Sequence, residues 1–156
     1  MLTIEIPGRF TLNLSYLVMD YNGTVAVDGK LLPGVKELLE ELSKNLKIYV
    51  LTRDTFGKVK EELSLLPYVE VVIVGDPGAP EKLEFIKKLG AEKTVAIGNG
   101  YNDRLMLKEA ALGILVIEEE GASIEALLNA DIVVKSPLDA LKLLTNNDRM
   151  VATLRC

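Results

Sequence analysis

Short apolar runs alternate with amphipathic segments along most of the chain. The runs are rich in valine, isoleucine and leucine, and most end at polar or glycine-containing turns, a pattern typical of buried parallel strands. The first two runs instead alternate apolar and polar residues around Pro7-Gly8-Arg9. That alternation predicts a β-hairpin, which we expect at an antiparallel edge of the sheet. The predicted strands are residues 2–6, 10–14, 16–19, 46–51, 69–74, 93–97, 114–117 and 132–134.

Helices are predicted between these strands, where apolar residues recur at three- and four-residue spacing. The first opens at Pro33-Gly34, and the second is expected to be capped by Thr55. A tight turn at Asp28-Gly29 predicts a short flap at residues 25–32. Later helices are predicted at residues 81–89, from Asn102 or Asp103 onward, at 121–130 and at 137–144, and residues 146–156 are left unassigned.

Strands that alternate with helices indicate βαβ units, which place parallel strands in one sheet with helices on both faces. The predicted fold is therefore a three-layer α/β/α, Rossmann-like domain with a mostly parallel sheet and an N-terminal β-hairpin. A chain of 156 residues is expected to form a single domain over residues 1–156. The insertions between strands are short, so no cap domain is expected.

Composition and charge narrow the function classes. The net charge is −5 and there is no basic run, which argues against a dedicated partner in nucleic acid or an anionic membrane. The single cysteine, Cys156, allows no intrachain disulfide, and no leader or membrane-length apolar run is present. We therefore expect a cytoplasmic protein. The apolar hairpin and the tail residues Met150, Val151 and Leu154 are candidates for a homo-oligomer interface.

The absence of histidine removes whole classes of mechanism. Histidine acid–base catalysis, Ser-His-Asp and Cys-His machinery and histidine metal sites are all excluded. Chemistry in this chain must use carboxylates, lysine, hydroxyls, amides or a hard metal ion bound by oxygen.

The stretch Y-L-V-M-D-Y-N-G-T, residues 16–24, has a strand that ends at a carboxylate. Ligands of open α/β sheets bind at the carboxyl ends of the strands, where Asp20 would lie. Gly23 would let the backbone approach a ligand closely, and Thr24 has a hydroxyl that can bind a loop amide or a phosphate oxygen. Taken alone, Asp20 is equally well explained as a turn or cap residue.

Polar residues at three later positions change that balance, because they follow other strands in the order that a phosphoryl-transfer site needs. Asp20 would be the nucleophile that forms an aspartyl-phosphate. The lysine would offset its charge and that of the phosphoryl group, and Mg²⁺ would bridge Asp20, a phosphate oxygen and the fourth loop. Each is by itself more often a cap, turn or solvated residue, but their joint occurrence favours a site. The later candidates are Thr52 and Arg53, then Lys82, then Asn99, Asn102 and Asp103.

Two motifs, D-Y-N-G-T at residues 20–24 and G-N-G-Y-N-D at residues 98–103, make a family resemblance specific. The chain resembles the haloacid dehalogenase-like (HAD) hydrolase superfamily, and within it the small, capless, soluble group similar to the phosphorylation domain of P-type ATPases. That domain carries D-K-T-G-T and G-D-G-x-N-D, and the resemblance covers about residues 16–145.

The resemblance implies a role for each candidate residue. Asp20 would be the nucleophile, Thr52 a phosphate binder and Lys82 the motif lysine. Mg²⁺ would be bound by Asp20, the Asn22 carbonyl and the loop that carries Asn99 and Asp103. The remaining candidates for phosphate binding are Gly23, Thr24, Arg53 and Asn102.

The chain departs from the family pattern at two amides. Asn22 stands where phosphatases of the superfamily usually have a second aspartate, which protonates the leaving group and activates water; an amide cannot exchange protons at neutral pH. Asn99 stands where an acidic metal ligand is usual, so weak metal binding is expected unless phosphate completes the site.

These observations favour a slow Mg²⁺-dependent phosphohydrolase acting on a phosphorylated small molecule or a phosphoprotein. The alternative is a regulatory protein that binds phosphate or a partner at a catalytically weakened site. A phosphorylatable receiver-like switch would share the sheet and the phospho-aspartate, but it does not explain the G-N-G-Y-N-D loop.

Overall fold

The central element of the fold is a six-stranded parallel sheet. The structure is a computed structural model that describes residues 1–22, 24, 26–27, 29–53, 57–64 and 66–156. Its strands are β3 (Tyr16–Asp20), β6 (Lys47–Thr52), β7 (Val69–Ile73), β8 (Thr94–Gly98), β9 (Leu112–Val116) and β10 (Ile132–Val134). Their order in the sheet is β10-β9-β8-β3-β6-β7, so β3 lies between β8 and β6. This arrangement confirms the predicted three-layer, mostly parallel fold.

Helices cover both faces of this sheet, and the alternation of side chains along β3 shows why. Leu17 and Met19 point into one buried cluster, whereas Val18 points into the other. The first cluster is covered by the helices α1 (Val35–Leu42), α2 (Lys58–Leu63), α6 (Pro137–Thr145) and α7 (Asn147–Leu154). The second is covered by α3 (Gly78–Leu89), α4 (Arg104–Glu109) and α5 (Ile124–Asn129).

The N-terminal hairpin of β1 (Leu2–Ile6) and β2 (Phe10–Leu14) forms as predicted, but its expected position is wrong. The two strands pair with each other in a separate two-stranded sheet and are not an edge of the central one. Their apolar face, which includes Ile4 and Leu12, is buried in the first cluster. Packing of that face, rather than strand pairing, therefore attaches the hairpin.

The unassigned tail is α7, and it packs on the hairpin. Its apolar residues Met150 and Leu154 are buried in the first cluster, and the backbone N–H of Cys156 donates to the Pro7 carbonyl at 3.0 Å. The hairpin and the tail thus cover each other within one chain. Met150 and Leu154 are therefore buried, while Phe10 stays 41% exposed, and the homo-oligomer interface stays a prediction.

Most predicted boundaries lie within a few residues of the observed ones. Helix α3 begins at Gly78 rather than at residue 81, and a single 3₁₀ turn, Tyr101–Asp103, precedes α4. The flap is a small hairpin of β4 (Ala26–Val27) and β5 (Lys30–Leu31). The Thr55 cap lies outside the described residues. No helix in the described ranges has the length and hydropathy of a membrane span.

Candidate active site

Three adjacent strands bring the candidate residues to one edge of the sheet. Because β8, β3 and β6 are parallel neighbours, Asn99, Asp20 and Thr52 follow one another along their carboxyl ends. These side chains line an open cleft of about 1090 Å³, to which Lys82 is added from α3. The sheet topology therefore assembles residues that are far apart in sequence.

Lys82 is the centre of a buried hydrogen-bonded group. Its side chain is 2% exposed, and its Nζ atom donates to Asp20 Oδ1 at 2.9 Å, Asn102 Oδ1 at 3.0 Å and Asp103 Oδ1 at 2.7 Å. All three ammonium donors thus have partners, two of them carboxylates. The α3 helix fixes the lysine here because its apolar neighbours, such as Ile86, anchor it to the second cluster.

Asp103 lies beneath the cleft. Its side chain is 0% exposed, and its Oδ2 atom accepts the backbone N–H groups of Asn99 and Gly100, each at 3.0 Å. A Cβ atom at Gly98 would lie 2.6 Å from Asp103 Cγ, so only glycine leaves room for this carboxylate. The G-N-G-Y-N-D turn therefore wraps around Asp103, which supports both the loop and Lys82.

The electrostatics of the group follow from two carboxylates sharing one ammonium. Burial and the Asp103 carboxylate raise the pKa of Asp20 to about 7, against the opposing effect of Lys82. Burial lowers the pKa of Lys82, but Asp103 and Asp20 outweigh it, and the net shift is upward. The lysine stays charged, and the raised pKa of Asp20 brings its titration close to neutral pH.

One side of the cleft, the hairpin wall, consists of Gly29 and Lys30 from the β4–β5 hairpin. The exposed Asn22 lines the cleft beside it and accepts the Gly29 backbone N–H on Oδ1 at 3.1 Å. The hydroxyl of the buried Tyr21 donates to the Gly29 carbonyl at 2.9 Å. Both backbone groups of one glycine are thus bound by the two residues that follow Asp20.

The opposite side, the loop wall, consists of residues 120–123 between β9 and α5. Asn99 is 6% exposed, and its Nδ2 atom donates to the Gly121 carbonyl in a long hydrogen bond of 3.4 Å. The Asn99 backbone carbonyl accepts the N–H of Ser123 at 2.8 Å. Asn99 therefore contacts the loop wall through both its side chain and its backbone.

The other predicted phosphate binders differ in their access to the cleft. Thr52, Arg53 and Asn102 line it, and the exposed Arg53 also pairs with Asp76. Thr24 is completely buried, is not among the cleft-lining residues, and its hydroxyl has no hydrogen-bond partner in the described part of the chain. Gly23 lies outside the described residues.

Sequence reasoning missed several cleft residues. The rule that ligands bind at strand carboxyl ends could have found the loop wall, because it follows β9 in the same sheet. No motif marks the residues contributed by the hairpin and by α2. The missed side chains are Lys30, Lys58, Val59, Glu61, Glu62, Glu120, Ala122 and Ser123.

The donor set fits a hard cation only when a ligand completes it. Within the described ranges, no three histidine, cysteine or acidic side chains form a cluster that could hold a metal ion. Asp20, Asn22 and Asn99 nevertheless offer carboxylate and amide oxygens to the same cleft. Mg²⁺ commonly uses one or two protein carboxylates together with water and substrate phosphate. The residues present therefore fit Mg²⁺ in a site that phosphate oxygens would complete.

Comparisons with known proteins identify the family. The model for haloacid dehalogenase-like hydrolases matches residues 7–111. A soluble P-type ATPase-like phosphatase of Methanocaldococcus jannaschii is 27% identical over 159 residues, which span 93% of this chain but 58% of that protein. The chain belongs to the haloacid dehalogenase-like hydrolase family, as its two motifs predicted.

Solved structures share the fold. The 3-deoxy-D-manno-octulosonate 8-phosphate phosphatase of Moraxella catarrhalis, in complex with magnesium, phosphate and KDO, has a TM-score of 0.72 at 16% identity; 92% of this chain and 94% of that one are covered. The catalytic domain of the CPx-ATPase CopB-B has a TM-score of 0.59 at 27% identity, over 74% of this chain and 46% of that one. The first similarity shows the fold, and the second agrees with the predicted likeness to P-type ATPases.

Proposed function

We propose that the protein is a Mg²⁺-dependent phosphohydrolase that forms an aspartyl-phosphate on Asp20. The observation that carries this proposal is the buried group in which Lys82 binds Asp20, Asn102 and Asp103 at once. A buried lysine between two carboxylates is costly for a structural protein, since desolvation of the charges offsets much of their attraction. At the edge of a cleft it has a clear use, which is to hold a carboxylate beside a bound dianion.

The first chemical step is an attack by Asp20 on the phosphoryl group. One Asp20 oxygen forms a bond to phosphorus, the ester oxygen–phosphorus bond breaks, and the leaving group departs with the bonding electron pair. Lys82 donates to Asp20 Oδ1 and so orients the carboxylate for the attack. Asn102 and Thr52 line the same cleft and are the proposed phosphate binders, together with Arg53.

The proposed Mg²⁺ ligands are Asp20, the Asn22 carbonyl and Asn99, with phosphate oxygens. Bound there, Mg²⁺ would supply positive charge that polarises the phosphoryl group and favours the ionised form of Asp20. Asp103, predicted as a further ligand, has hydrogen bonds at both oxygens and is buried. We therefore propose that it supports the site through Lys82 and the backbone of the Asn99 loop.

Asn22 makes the proposed enzyme slow. A general acid or base contributes roughly 10²–10⁴-fold to such steps, and an amide supplies neither. Aryl and acyl phosphates need little protonation of their leaving groups and should therefore be the better substrates. Water attack on the aspartyl-phosphate, which regenerates Asp20 and releases phosphate, should be slow for the same reason.

Substrate class and location remain part of the proposal. The open cleft accommodates a phosphorylated small molecule or an exposed phosphorylated segment of a protein. We retain a cytoplasmic location, the absence of nucleic-acid and membrane partners, and a possible homo-oligomer as predictions.

The second candidate function is a phosphate- or partner-binding regulatory protein. The two amides favour it, because Asn22 and Asn99 stand where the family resemblance implies a proton carrier and a negative metal ligand.

The test is hydrolysis of p-nitrophenyl phosphate, with and without Mg²⁺, by the native chain and by Asp20→Asn and Asn22→Asp. Asp148→Asn, an exposed aspartate in α7, is the matched control. The native chain and the control should show Mg²⁺-dependent turnover, Asp20→Asn should show none, and Asn22→Asp should be faster. Acid-quenched native protein should gain the mass of one phosphoryl group, and Asp20→Asn should not.

Two outcomes would change the conclusion. An inert native chain with an active Asn22→Asp variant would favour the regulatory protein on a competent scaffold. If all variants are inert under every condition, the cleft is not a phosphohydrolase site and the proposal fails.

A further inference from the structure

The two amides that replace family acids contact opposite walls of the cleft. Asn22 accepts from the backbone N–H of Gly29 in the hairpin wall, and Asn99 donates to the carbonyl of Gly121 in the loop wall. Asn22 is thus the acceptor in its hydrogen bond, whereas Asn99 is the donor in its hydrogen bond. This difference determines which substitutions each site can tolerate.

The hairpin wall depends on outside support. Its strands are two residues each, with the pairs Ala26–Leu31 and Val27–Lys30, and an isolated hairpin of this size is not stable in water. Tyr21 anchors it from the core, since its ring is fully buried and its hydroxyl binds the Gly29 carbonyl. Asn22 binds the N–H of the same residue. Together the two side chains hold both sides of the Gly29 backbone and keep Lys30 at the mouth of the cleft.

The loop wall is a tight turn tied to the site through Asn99. Gly121 donates its N–H to the Glu118 carbonyl at 2.7 Å, and Ser123 donates to the Asn99 carbonyl at 2.8 Å. The side chain of Asn99 adds the contact to the Gly121 carbonyl. Only the N–H end of an amide can face a carbonyl favourably, which also fixes the opposite end, Oδ1, away from Gly121.

We propose that Asn22 and Asn99 are positioning residues that clamp the two walls of the cleft, and that aspartate can replace the first clamp but not the second. At Asn22 the clamp needs an acceptor, and a carboxylate accepts an N–H at least as well as an amide. At Asn99 the clamp needs a donor. An ionised aspartate has none, and its oxygen would face the Gly121 carbonyl with like partial charge.

The proposal explains why the departures at the two positions are not equivalent. Compared with aspartate, asparagine at position 22 cannot transfer a proton, and its hydrogen bond holds the hairpin wall no more firmly. Asparagine at position 99 gives up charge at the proposed metal site but gains a hydrogen bond that aspartate cannot make. This inference rests on the proposed function only in treating the cleft as the substrate site.

The experiment is residue-resolved amide hydrogen exchange by NMR on the free 156-residue chain, so its result does not depend on turnover. Loss of one hydrogen bond should speed exchange by about fivefold. Asn22→Ala should produce this change at the Gly29 amide, and Asn22→Asp should not. Asn99→Asp removes the side-chain contact to the Gly121 carbonyl and should loosen the loop wall, which is observed as faster exchange at the neighbouring Ser123 amide, although the backbone acceptor of that amide is kept.

A second test variant, Tyr21→Phe, removes the hydroxyl that binds the Gly29 carbonyl and should also speed exchange at Gly29. Its matched control, Tyr68→Phe, removes a hydroxyl bound to the Lys36 carbonyl and should leave exchange at Gly29 unchanged. Asn147→Asp removes amide donors to α6 carbonyls and should leave Ser123 unchanged. In turnover assays Tyr21→Phe should raise KM several-fold with a smaller change in kcat, because it loosens a wall without touching a proposed catalytic group.

A measurement on the native chain covers the case in which a variant fails to fold. The side-chain amide protons of Asn99 should exchange more slowly than those of the exposed Asn45. The proposal is overturned if they do not, if Asn22→Ala leaves Gly29 exchange unchanged, if Asn22→Asp loosens it equally, or if folded Asn99→Asp keeps the native exchange at Ser123. Failure of phosphatase activity alone would leave these results intact and would refute only the proposed function.

Discussion

The floor and the walls of the cleft are built from opposite kinds of group. The floor consists of Asp20, Lys82 and Asp103, three ionisable side chains that are at most 18% exposed and joined by short hydrogen bonds. The walls are glycine-containing loops held by neutral amides, Asn22 and Asn99. The floor keeps two carboxylates and a lysine, the charges that the proposed phosphoryl transfer needs, while Asn22 and Asn99 can neither exchange protons at neutral pH nor add negative charge to a metal site.

This contrast suggests that binding of phosphate and fast turnover are separable properties. In the proposed function the floor, with Mg²⁺ to offset its two carboxylates, would bind the phosphoryl group, because electrostatic interactions strengthen where water is excluded. The walls set what happens to the leaving group and how the rest of the substrate is contacted. A protein with an intact floor and modified walls can therefore bind its ligand well and convert it slowly.

The largest effect is expected from breaking the floor with Lys82→Met. The methionine keeps most of the side-chain volume but leaves the Asp20 and Asp103 carboxylates without their cation. Removing one partner from a buried ion pair costs about 3–5 kcal/mol of unfolding free energy. We expect a loss of this size in urea unfolding at pH 8, together with loss of all phosphatase activity.

The control for this substitution lies on the same helix. Lys87→Met changes an exposed lysine of α3 and should alter stability and activity little. If Lys82→Met were as stable as the control, the floor would not be an energetically coupled group, and the contrast with the walls would fail.

A smaller effect is expected from Gly98→Ala, which tests whether the floor supports the loop. The new Cβ would lie 2.6 Å from both Cγ and Oδ2 of Asp103, so the carboxylate must move. Overpacking of this kind costs about 1–3 kcal/mol. Activity should fall further than stability alone explains, because Asp103 also orients Lys82.

Gly100→Ala is the matched control, since its nearest contact, Asn102 Oδ1, would be at an ordinary 3.6 Å. Both variants can be compared by thermal unfolding and by p-nitrophenyl phosphate turnover. Equal effects at the two positions would show that the loop tolerates displacement of Asp103.

The fold was largely predictable because its parallel strands have distinctive patterns. The apolar runs within β6 and β8, residues 48–51 and 95–97, and the polar residues that follow them were sufficient to indicate the sheet and the edge at which the candidate residues meet. The position of the N-terminal hairpin was not predictable, since alternation marks one buried face but does not say what covers it. The tail had Met150 and Leu154 at helical spacing, but its partner, the hairpin, was visible only in three dimensions.

The residue types of the candidate site could be predicted from the sequence, but the burial of each side chain could not. Motif spacing pointed to Asp20, Lys82 and Asp103, but it could not show that Asp103 lies below the cleft with both oxygens occupied. That depends on the 3₁₀ turn at Tyr101–Asp103 and on the space left by Gly98. Likewise, an asparagine in a motif does not reveal whether it donates or accepts, which is what distinguishes Asn22 from Asn99.

The smallest expected effect is a pH dependence of stability that belongs to Asp20. Burial and Asp103 raise its pKa from 3.8 to about 7 in the folded protein. Between these values the unfolded chain has released the proton while the folded chain still binds it. Stability therefore falls as pH rises through this window, with a slope of at most about 1.4 kcal/mol per pH unit from this group.

Asp20→Asn removes this titration and isolates its contribution. Without Mg²⁺, the stability of the variant relative to the native chain should rise by about 1–3 kcal/mol between pH 5 and pH 8, measured by urea unfolding at each pH. Asp148→Asn should show no such trend. A flat or falling difference would mean that Lys82 outweighs burial and Asp103. The floor would then hold the proposed nucleophile in its ionised form throughout this pH range.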